Sequence, residues 1–396
     1  MCKKMHILLI HQSFASINEP GGTRHYELAS RLVELGDKFT VVTGGHSYMT
    51  GEGRSSSESR EYYADNLRVR YSWDRKFFSK FWLGRLISYS VFMVSSFLNA
   101  FFTRNVDVIW GTTPPIPQAL TAYLISFLRR KPFILEVRDL WPDFPIQLGI
   151  IKNRVLIWLS RRLERFLYTK ADRLIVNSPG FIPHVLELGV DAEKIVLIPN
   201  GTEADMFDPK NSGETVRSEL GLEGKFVAVY AGALGYANDV EVIVSAAGLL
   251  NDVDDIVFVL IGSGGRRESL LDEIKRQNLK NIIMVPPQPK SIIPKFLAAA
   301  DVCIATLKPI PMFNTTYPNK VFDYMAAGRP VALAIDGVIR EVIENAGAGI
   351  FVEPGDAKGM AYAVQAYREN RDLLELHGRN GRAYVIRHFD RKLEAP

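Results

Sequence analysis

The residues best suited to chemistry cluster between Asn314 and Pro330. Pro318-Asn319-Lys320 opens a predicted helix that Gly328 closes, and Pro330 leads into the next strand. Amides at Asn319 and Lys320 crown the helix start, and the lysine adds a full positive charge, so the pair suits a phosphate. Asp323 follows four residues after Asn319 on the same face, where a carboxylate can accept hydrogen bonds from ribose hydroxyls. The plainer alternative is an ordinary surface helix start.

Three glycine turns end predicted strands. Gly21-Gly22 permits close backbone approach and precedes a helix that Thr23 can cap. Gly232 sits in a turn after the strand Phe226–Tyr230. The turn Gly262-Ser263-Gly264-Gly265 is followed by Arg266, whose guanidinium can pair with a diphosphate or simply face water at a helix start. None of these completes the G-x-G-x-x-G pattern of a dinucleotide site. Asp252-Val253-Asp254 has the D-x-D form of metal-dependent transferases, but it precedes a strand, the wrong end for a ligand. No His/Cys cluster has metal spacing, so no metal is expected.

These turns need a scaffold of parallel strands. Met5–Ile10, Phe39–Thr43, Val106–Trp110, Phe133–Val137 and Leu174–Val176 are short apolar runs alternating with helical patterns. A second such series runs from Phe226 to Val352. The fold class is therefore α/β, with two Rossmann-like parallel-sheet domains expected to face a cleft. Expected boundaries are 1–203 for an N-terminal domain and 204–375 for a C-terminal domain. Residues 376–396 form a helix that can pack back on the first domain. With 396 residues, 47% of them apolar and 23% charged, the chain has the length and profile of two ordinary globular domains. Cys2 and Cys303 suggest no disulfide framework, and no signal-peptide core follows Met1. A cytoplasmic protein is expected.

Basic charge is unevenly placed. Arg68, Arg70, Arg75, Lys76, Lys80, Arg85 and Arg104 face a single acid, Asp74, over 68–104. Lys152, Arg154, Arg161, Arg162, Arg165 and Lys170 are opposed only by Glu164 over 152–170. Within these stretches lie the apolar run Ile87–Phe102 and the mixed run Arg154–Lys170. The first is short of the roughly 20 apolar residues that span a bilayer. Both suit a helix lying on an anionic membrane surface, with a core helix as the alternative for the first. No recognition motif supports nucleic acid as the partner.

Several stretches together resemble the family-4 retaining glycosyltransferases of the GT-B fold, over essentially the whole chain. They are Glu19-Pro-Gly-Gly22, Ile198-Pro-Asn-Gly201, Val259-Leu-Ile-Gly-Ser-Gly-Gly-Arg266 and Asp323-Tyr-Met-Ala-Ala-Gly-Arg-Pro330. Glu136-Val-Arg-Asp-Leu-Trp-Pro142 and Pro318-Asn-Lys320 resemble the N-acetyl-fucosamine-transferase branch of bacterial O-antigen and capsule assembly. The resemblance implies a UDP-sugar donor, an N-acetylated hexosamine and a polyprenyl-diphosphate-linked saccharide acceptor. It also implies retention at the anomeric carbon, no metal cofactor, and a peripheral position at the inner face of the plasma membrane. Gly22, Gly232, Gly264, Arg266, Asn319, Lys320 and Asp323 would bind donor. Asp139, Arg138, Arg266 and Lys320 would carry the catalytic role.

The chain departs from the family pattern at three places. Thr315 stands where the first acid of the E-x7-E signature belongs, with Asp323 as the second. Arg138 occupies the place of an active-site histidine, beside Asp139. Ala233 and Asn238 or Asp239 stand near the usual arginine and lysine. A nucleotide-sugar 2-epimerase on the same fold and a degenerate nucleotide-sugar-binding subunit are the competing readings.

Overall fold

The computed structural model describes residues 4–47, 49–53, 66–74 and 82–393, with the side chains of the helix beginning at Trp82 described from Ile87 onward. The chain divides into two compact units, Met1–Pro199 and Asn200–Glu394.

The first unit is a parallel sheet of β1 (His6–Ile10), β2 (Lys38–Gly44), β3 (Leu67–Ser72), β4 (Val108–Thr113), β5 (Phe133–Val137), β6 (Arg173–Val176) and β7 (Ile195–Leu197), in the order 3-2-1-4-5-6-7. Its helices are α1 (Arg24–Glu34), α2 (Trp82–Phe101), α3 (Ile116–Arg129), α4 (Asp143–Gln147), α5 (Arg154–Lys170) and α6 (Ile182–Glu187). Ile7 pairs with both Phe39 and Val108, which makes β1 a central strand. Leu8, Leu9 and Ile10 are accordingly fully buried, as a strand covered on both faces requires.

The second unit opens with α7 (Glu214–Glu219). Its sheet has the order 10-9-8-11-12-13, from β8 (Phe226–Ala231), β9 (Ile256–Ile261), β10 (Ile282–Val285), β11 (Val302–Thr306), β12 (Val331–Ala334) and β13 (Gly349–Phe351). Around it pack α8 (Val240–Leu249), α9 (Arg267–Arg276), α10 (Ile293–Ala299), α11 (Asn319–Ala326), α12 (Val338–Ala346), α13 (Ala357–Glu369) and α14 (Arg371–His388). Two cores lie on the two faces of this sheet. Val227 and Val229 enter one, Ala228 and Tyr230 the other, because successive side chains on a strand point to opposite faces.

Three details differ from the sequence expectations. Thr23 occupies the N-cap of α1 without capping it; its hydroxyl donates instead to Glu27 at 2.5 Å. β3 and β7 carry too little apolar signal to be foreseen: β3 interleaves Arg68 and Arg70 among its apolar residues, and β7 is three residues long at the sheet edge. The C-terminal stretch packs within the second unit, where α14 lies on α11, α12 and α13.

The buried face of α2 mixes two serines with two apolar residues. Ser88, Phe92, Ser96 and Ala100, spaced four apart, form its buried stripe, while Val94, Leu98 and Phe102 are exposed. α3 packs between α2 and α5. It exposes Leu124, Phe127 and Leu128, and α5 exposes Val155, Trp158, Leu159 and Phe166. Among the described residues no helix is long and apolar enough to cross a membrane. Arg75, Lys76 and Lys80 of the predicted basic run lie outside the described residues.

Candidate active site

In each sheet the strand order reverses at one point, between β1 and β4 and between β8 and β11. Loops leaving the carboxyl ends of those strands diverge there and leave a crevice for ligands.

In the second unit, the loop after β8 organises the site. Gly232 N–H donates to Ile261 O at 3.0 Å, Leu234 N–H to Ser263 O at 2.9 Å, and Arg266 N–H to Leu234 O at 3.0 Å. These bonds zip the β8 and β9 loops together. A Cβ on Gly262 would fall 1.9 Å from Gly232 O, and one on Gly264 2.3 Å from Leu234 O. The close approach of the two backbones therefore explains both glycines, each at positive φ. Gly232 itself makes room for a side chain: a Cβ there would lie 2.8 Å from Lys320 Nζ.

Lys320 reaches this loop from the first turn of α11. Its ammonium donates to Tyr230 Oη at 2.8 Å and Asn238 Oδ1 at 3.3 Å, and lies 4.1 Å from the Tyr230 ring centroid. The Tyr230 hydroxyl in turn donates to Ala233 O at 2.8 Å. With no carboxylate among these partners, burial pulls the lysine down to about 7. A phosphate would supply the missing counter-charge.

Two more cations meet the same loop. Arg266 bonds Glu241 at 2.6 Å and stands 5.0 Å from the exposed Tyr236 ring. Lys308, two residues beyond β11, lies 5.5 Å from that ring and 3.7 Å from Asp239. Its backbone N–H bonds Ala237 O, and Thr306 Oγ1 bonds Asn238 O, which anchors the loop to the β11 end. Asp239, at the left-handed N-cap of α8, makes no side-chain cap bond. Burial raises its carboxyl, with Lys308 pulling the other way.

Lys308 therefore sits on the loop that lacks the family's usual cations. Its signal in sequence was its place just past a strand's carboxyl end, the position where ligand contacts concentrate.

Asn319 begins α11 after the extended N-cap Pro318, and its Oδ1 is buried without a protein partner among the described residues. Asp323, nearly buried, is engaged by its own unit: Oδ1 accepts from Thr202 at 2.8 Å and Oδ2 from Lys290 at 2.6 Å. These bonds tie α11 to the start of the second unit and to the loop after β10. Lys290 was not singled out from sequence. Thr315, at the position of the missing acid, closes a 3-10 turn by donating to Met312 O. The D-x-D residues Asp252 and Asp254 lie before β9, at its amino end.

In the first unit, Gly22 is exposed, and a Cβ there would meet nothing within 4 Å; the tight position is Gly21, at 2.9 Å from Ala15 Cβ. Just beyond them lies an ion cluster that sequence reasoning missed. Glu136, fully buried at the end of β5, accepts from Arg24 Nε at 2.7 Å and lies 2.7 Å from His25 Nε2. Arg24 also donates to Ile198 O and Pro199 O, each at 2.7 Å. Burial alone would raise the Glu136 carboxyl, but the charge and hydrogen bonds of its partners hold it well below the usual carboxylate range.

Asp139, two residues past β5, has the opposite environment. Among the described residues no hydrogen-bond donor reaches its carboxylate, and burial lifts it to about 6, with only the charge of Arg138 opposing. It caps no helix, since α4 begins after Pro142. Arg138 turns to the β4 end, donating to Thr113 O and Pro114 O at 3.1 Å each. Nearby strand ends carry further polar groups: Gln12 after β1 and Asn177 after β6 hold buried side-chain atoms without protein partners among the described residues. Buried polar atoms without a protein partner are ordinarily satisfied by water or a polar ligand.

Residues 21–201 match the family described as the glycosyl transferase 4-like domain, and residues 225–370 match glycosyl transferases group 1. The chain is 24% identical over 321 residues to WcaI of Escherichia coli (strain K12), named as a colanic acid biosynthesis glycosyl transferase, covering 78% of this chain and 77% of the relative. It is 27% identical over 286 residues to WbjE of Pseudomonas aeruginosa, named as a glycosyltransferase, covering 69% of each. Among solved structures, HepE of Anabaena in complex with UDP and glucose superposes with a TM-score of 0.75 at 20% identity, over 99% of this chain and 97% of that one. Sucrose-phosphate synthase of Thermosynechococcus elongatus does so with a TM-score of 0.78 at 18% identity, over 99% and 96%. At these identities the structural likeness establishes the fold.

Proposed function

Because the chain belongs to the GT4-like glycosyltransferases of the GT-B fold that work in surface polysaccharide synthesis, we propose that it moves a sugar from a UDP-sugar to a lipid-linked saccharide. The sugar is an N-acetylated hexosamine, and the acceptor is anchored through a polyprenyl diphosphate. The observation that carries the donor assignment is the convergence of Lys320, Arg266 and Lys308 on the loop Gly232–Asp239. Three cations on one strand-end loop suit a nucleotide diphosphate. Solved structures of the same fold hold UDP and UDP-glucose, which supports UDP as the nucleotide.

In the reaction the bond between the anomeric carbon and the diphosphate oxygen breaks, and an acceptor hydroxyl oxygen bonds the same carbon. Negative charge grows on the departing UDP. Lys320, desolvated beneath Gly232, gains most by meeting it, because a fixed charge in a dry site needs no reorganisation as the barrier is crossed. Arg266 and Lys308 add to this, so the transfer requires no divalent metal. Asp139 meets the acceptor hydroxyl and takes its proton as the new bond forms, Arg138 shapes the β4 end beside it, and the configuration at the anomeric carbon is retained. The lipid acceptor is met at the inner face of the plasma membrane, where the apolar outer face of α2, α3 and α5 rests on the anionic surface.

The test incubates pure protein with a panel of UDP-sugars and a synthetic polyprenyl-diphosphate saccharide, with and without EDTA. A mass gain of one N-acetylhexosamine, insensitive to EDTA, is expected. No transfer from any donor would sink the enzyme assignment, and tight UDP binding without turnover would leave a binding subunit.

A further inference from the structure

We infer that the first unit carries a second lipid site, a pocket for the headgroup of an anionic phospholipid at the carboxyl ends of α3 and α5. This inference rests on the membrane-surface reading above and deepens it. A cavity of about 500 Å³ opens there, with Tyr123, Phe127, Leu128, Arg130, Lys131 and Lys170 among its lining residues. Tyr123 forms an aromatic floor with Phe133 and Phe166, at ring-centroid distances of 5.9 and 5.1 Å. Phe127 and Leu128 form an exposed apolar rim. That rim continues onto the outward face of α5 through Phe166, which is also exposed.

The charges do not cancel within the protein. Among the described residues, Arg130, Lys131 and Lys170 form no ion pair and no side-chain hydrogen bond. Asp172 is the acid in the lining, and one of its oxygens is taken by the Phe133 amide at 2.7 Å. The plainer view is that these cations only offset the dipoles of two helix ends, each worth about half a negative charge. α3 has less need of that help, because its last carbonyls are already bonded by the Arg130 and Lys131 amides. Three positive charges against one acid and two half-charges leave roughly one positive charge, matching a singly charged lipid. A nucleic acid would have no use for the apolar rim, whereas acyl chains would lie along it.

The pocket is separate from the acceptor site. It sits beside Phe133, the first residue of β5, while Asp139 lies past the last. The strand from Phe133 to Val137 makes four steps of about 3.3 Å, some 13 Å, and Asp139 lies beyond its carboxyl end, so the two are on opposite ends of the sheet. The reacting end of a saccharide acceptor at Asp139 is therefore not the occupant of this pocket.

The test is flotation of the full chain with vesicles of phosphatidylcholine alone and with added phosphatidylglycerol, repeated for the variant R130E/K131E/K170E. R154E/R162E serves as a control that reverses α5 charges away from the pocket. Titration of the wild-type chain with short-chain phosphatidylglycerol and with glycerol phosphate completes the set. The expected result is a phosphatidylglycerol-dependent gain that the pocket variant loses by at least about tenfold and the control largely keeps. Short-chain phosphatidylglycerol should bind more tightly than glycerol phosphate, and circular dichroism should show the variants folded.

Equal losses in variant and control would overturn the pocket in favour of diffuse surface charge. Glycerol phosphate binding as tightly as the lipid would assign the site to a free phosphate ester and overturn the lipid. If vesicles bind equally with and without phosphatidylglycerol, the pocket falls, and of the membrane reading only the contact of the apolar face stands, without its preference for an anionic surface. If no vesicle binds, both fall.

Discussion

At the end of β5, Glu136 is enclosed by Arg24 and His25, while Asp139, three residues on, meets no donor among the described residues. Around Gly232 in the second unit the arrangement is inverted. Cations dominate there, and two of them, Arg266 and Lys308, already have carboxylate neighbours, while Lys320 is held by neutral oxygens. Each of these two loop regions thus combines paired charges that fix geometry with a buried group that has no oppositely charged hydrogen-bond partner among the described residues. That group is Asp139 in the first and Lys320 in the second. The pairing identifies scaffold, and the uncompensated group identifies where a substrate supplies what the protein does not.

The sharpest way to break this comparison is to exchange the roles. Glu136→Gln strands the Arg24 guanidinium without a counter-charge, and about 3–5 kcal/mol of stability should be lost in urea unfolding. Asp139→Asn should cost no stability, and should leave the chain slightly more stable at neutral pH. The native carboxyl is raised to about 6 from 3.8, so the folded state holds the proton more tightly. Wild-type stability therefore falls as pH rises from about 4 to 6, and the variant should lack that slope. Equal destabilisation by the two variants would erase the distinction between them.

For catalysis, Lys320→Met should lower kcat/KM by about 10²–10³ and weaken UDP binding in calorimetry. Asp139→Asn should lower kcat/KM by about 10². The wild-type kcat/KM should rise with pH through about 6 as Asp139 ionises, and fall above about 7 as Lys320 loses its proton. Each variant should remove one limb of that bell.

A smaller effect tests the loop that carries the cations. Gly262→Ala forces a Cβ against Gly232 O and should cost about 1–3 kcal/mol, with UDP affinity falling alongside. Smallest of all, Arg161→Ala removes an exposed pair to Asp143 and should change stability by less than about 1 kcal/mol, with transfer unaffected.

Much of the scaffold was legible because buried parallel strands are continuous apolar runs: β5 begins and ends where the residue pattern places it, at Phe133 and Val137. β3 and β7 escaped because edge strands carry one-sided or little burial. The turn glycines were legible as turns, but Gly262 and Gly264 serve backbone-to-backbone contact, a reason visible only once two loops meet. Asp323 was legible as a carboxylate on the right helix face, whereas its engagement by Thr202 and Lys290 joins residues 121 and 33 positions away.

The sequence by itself determined the alternating α/β order, the helix that presents Lys320, and the excess of positive charge over 152–170. These are written in local periodicity and in the turn chemistry of proline and glycine. Only the tertiary structure decided which charges are neutralised. Arg24 finds Glu136 across 112 residues and Arg266 finds Glu241 across 25, while Asp139 finds no donor among the described residues. Tertiary structure likewise turned Ser88 and Ser96 of α2 inward and Val94 and Leu98 outward. Desolvation and pairing depend on what lies within a few ångströms in space, and neighbours in space are set by the packing of the sheet, not by distance along the chain.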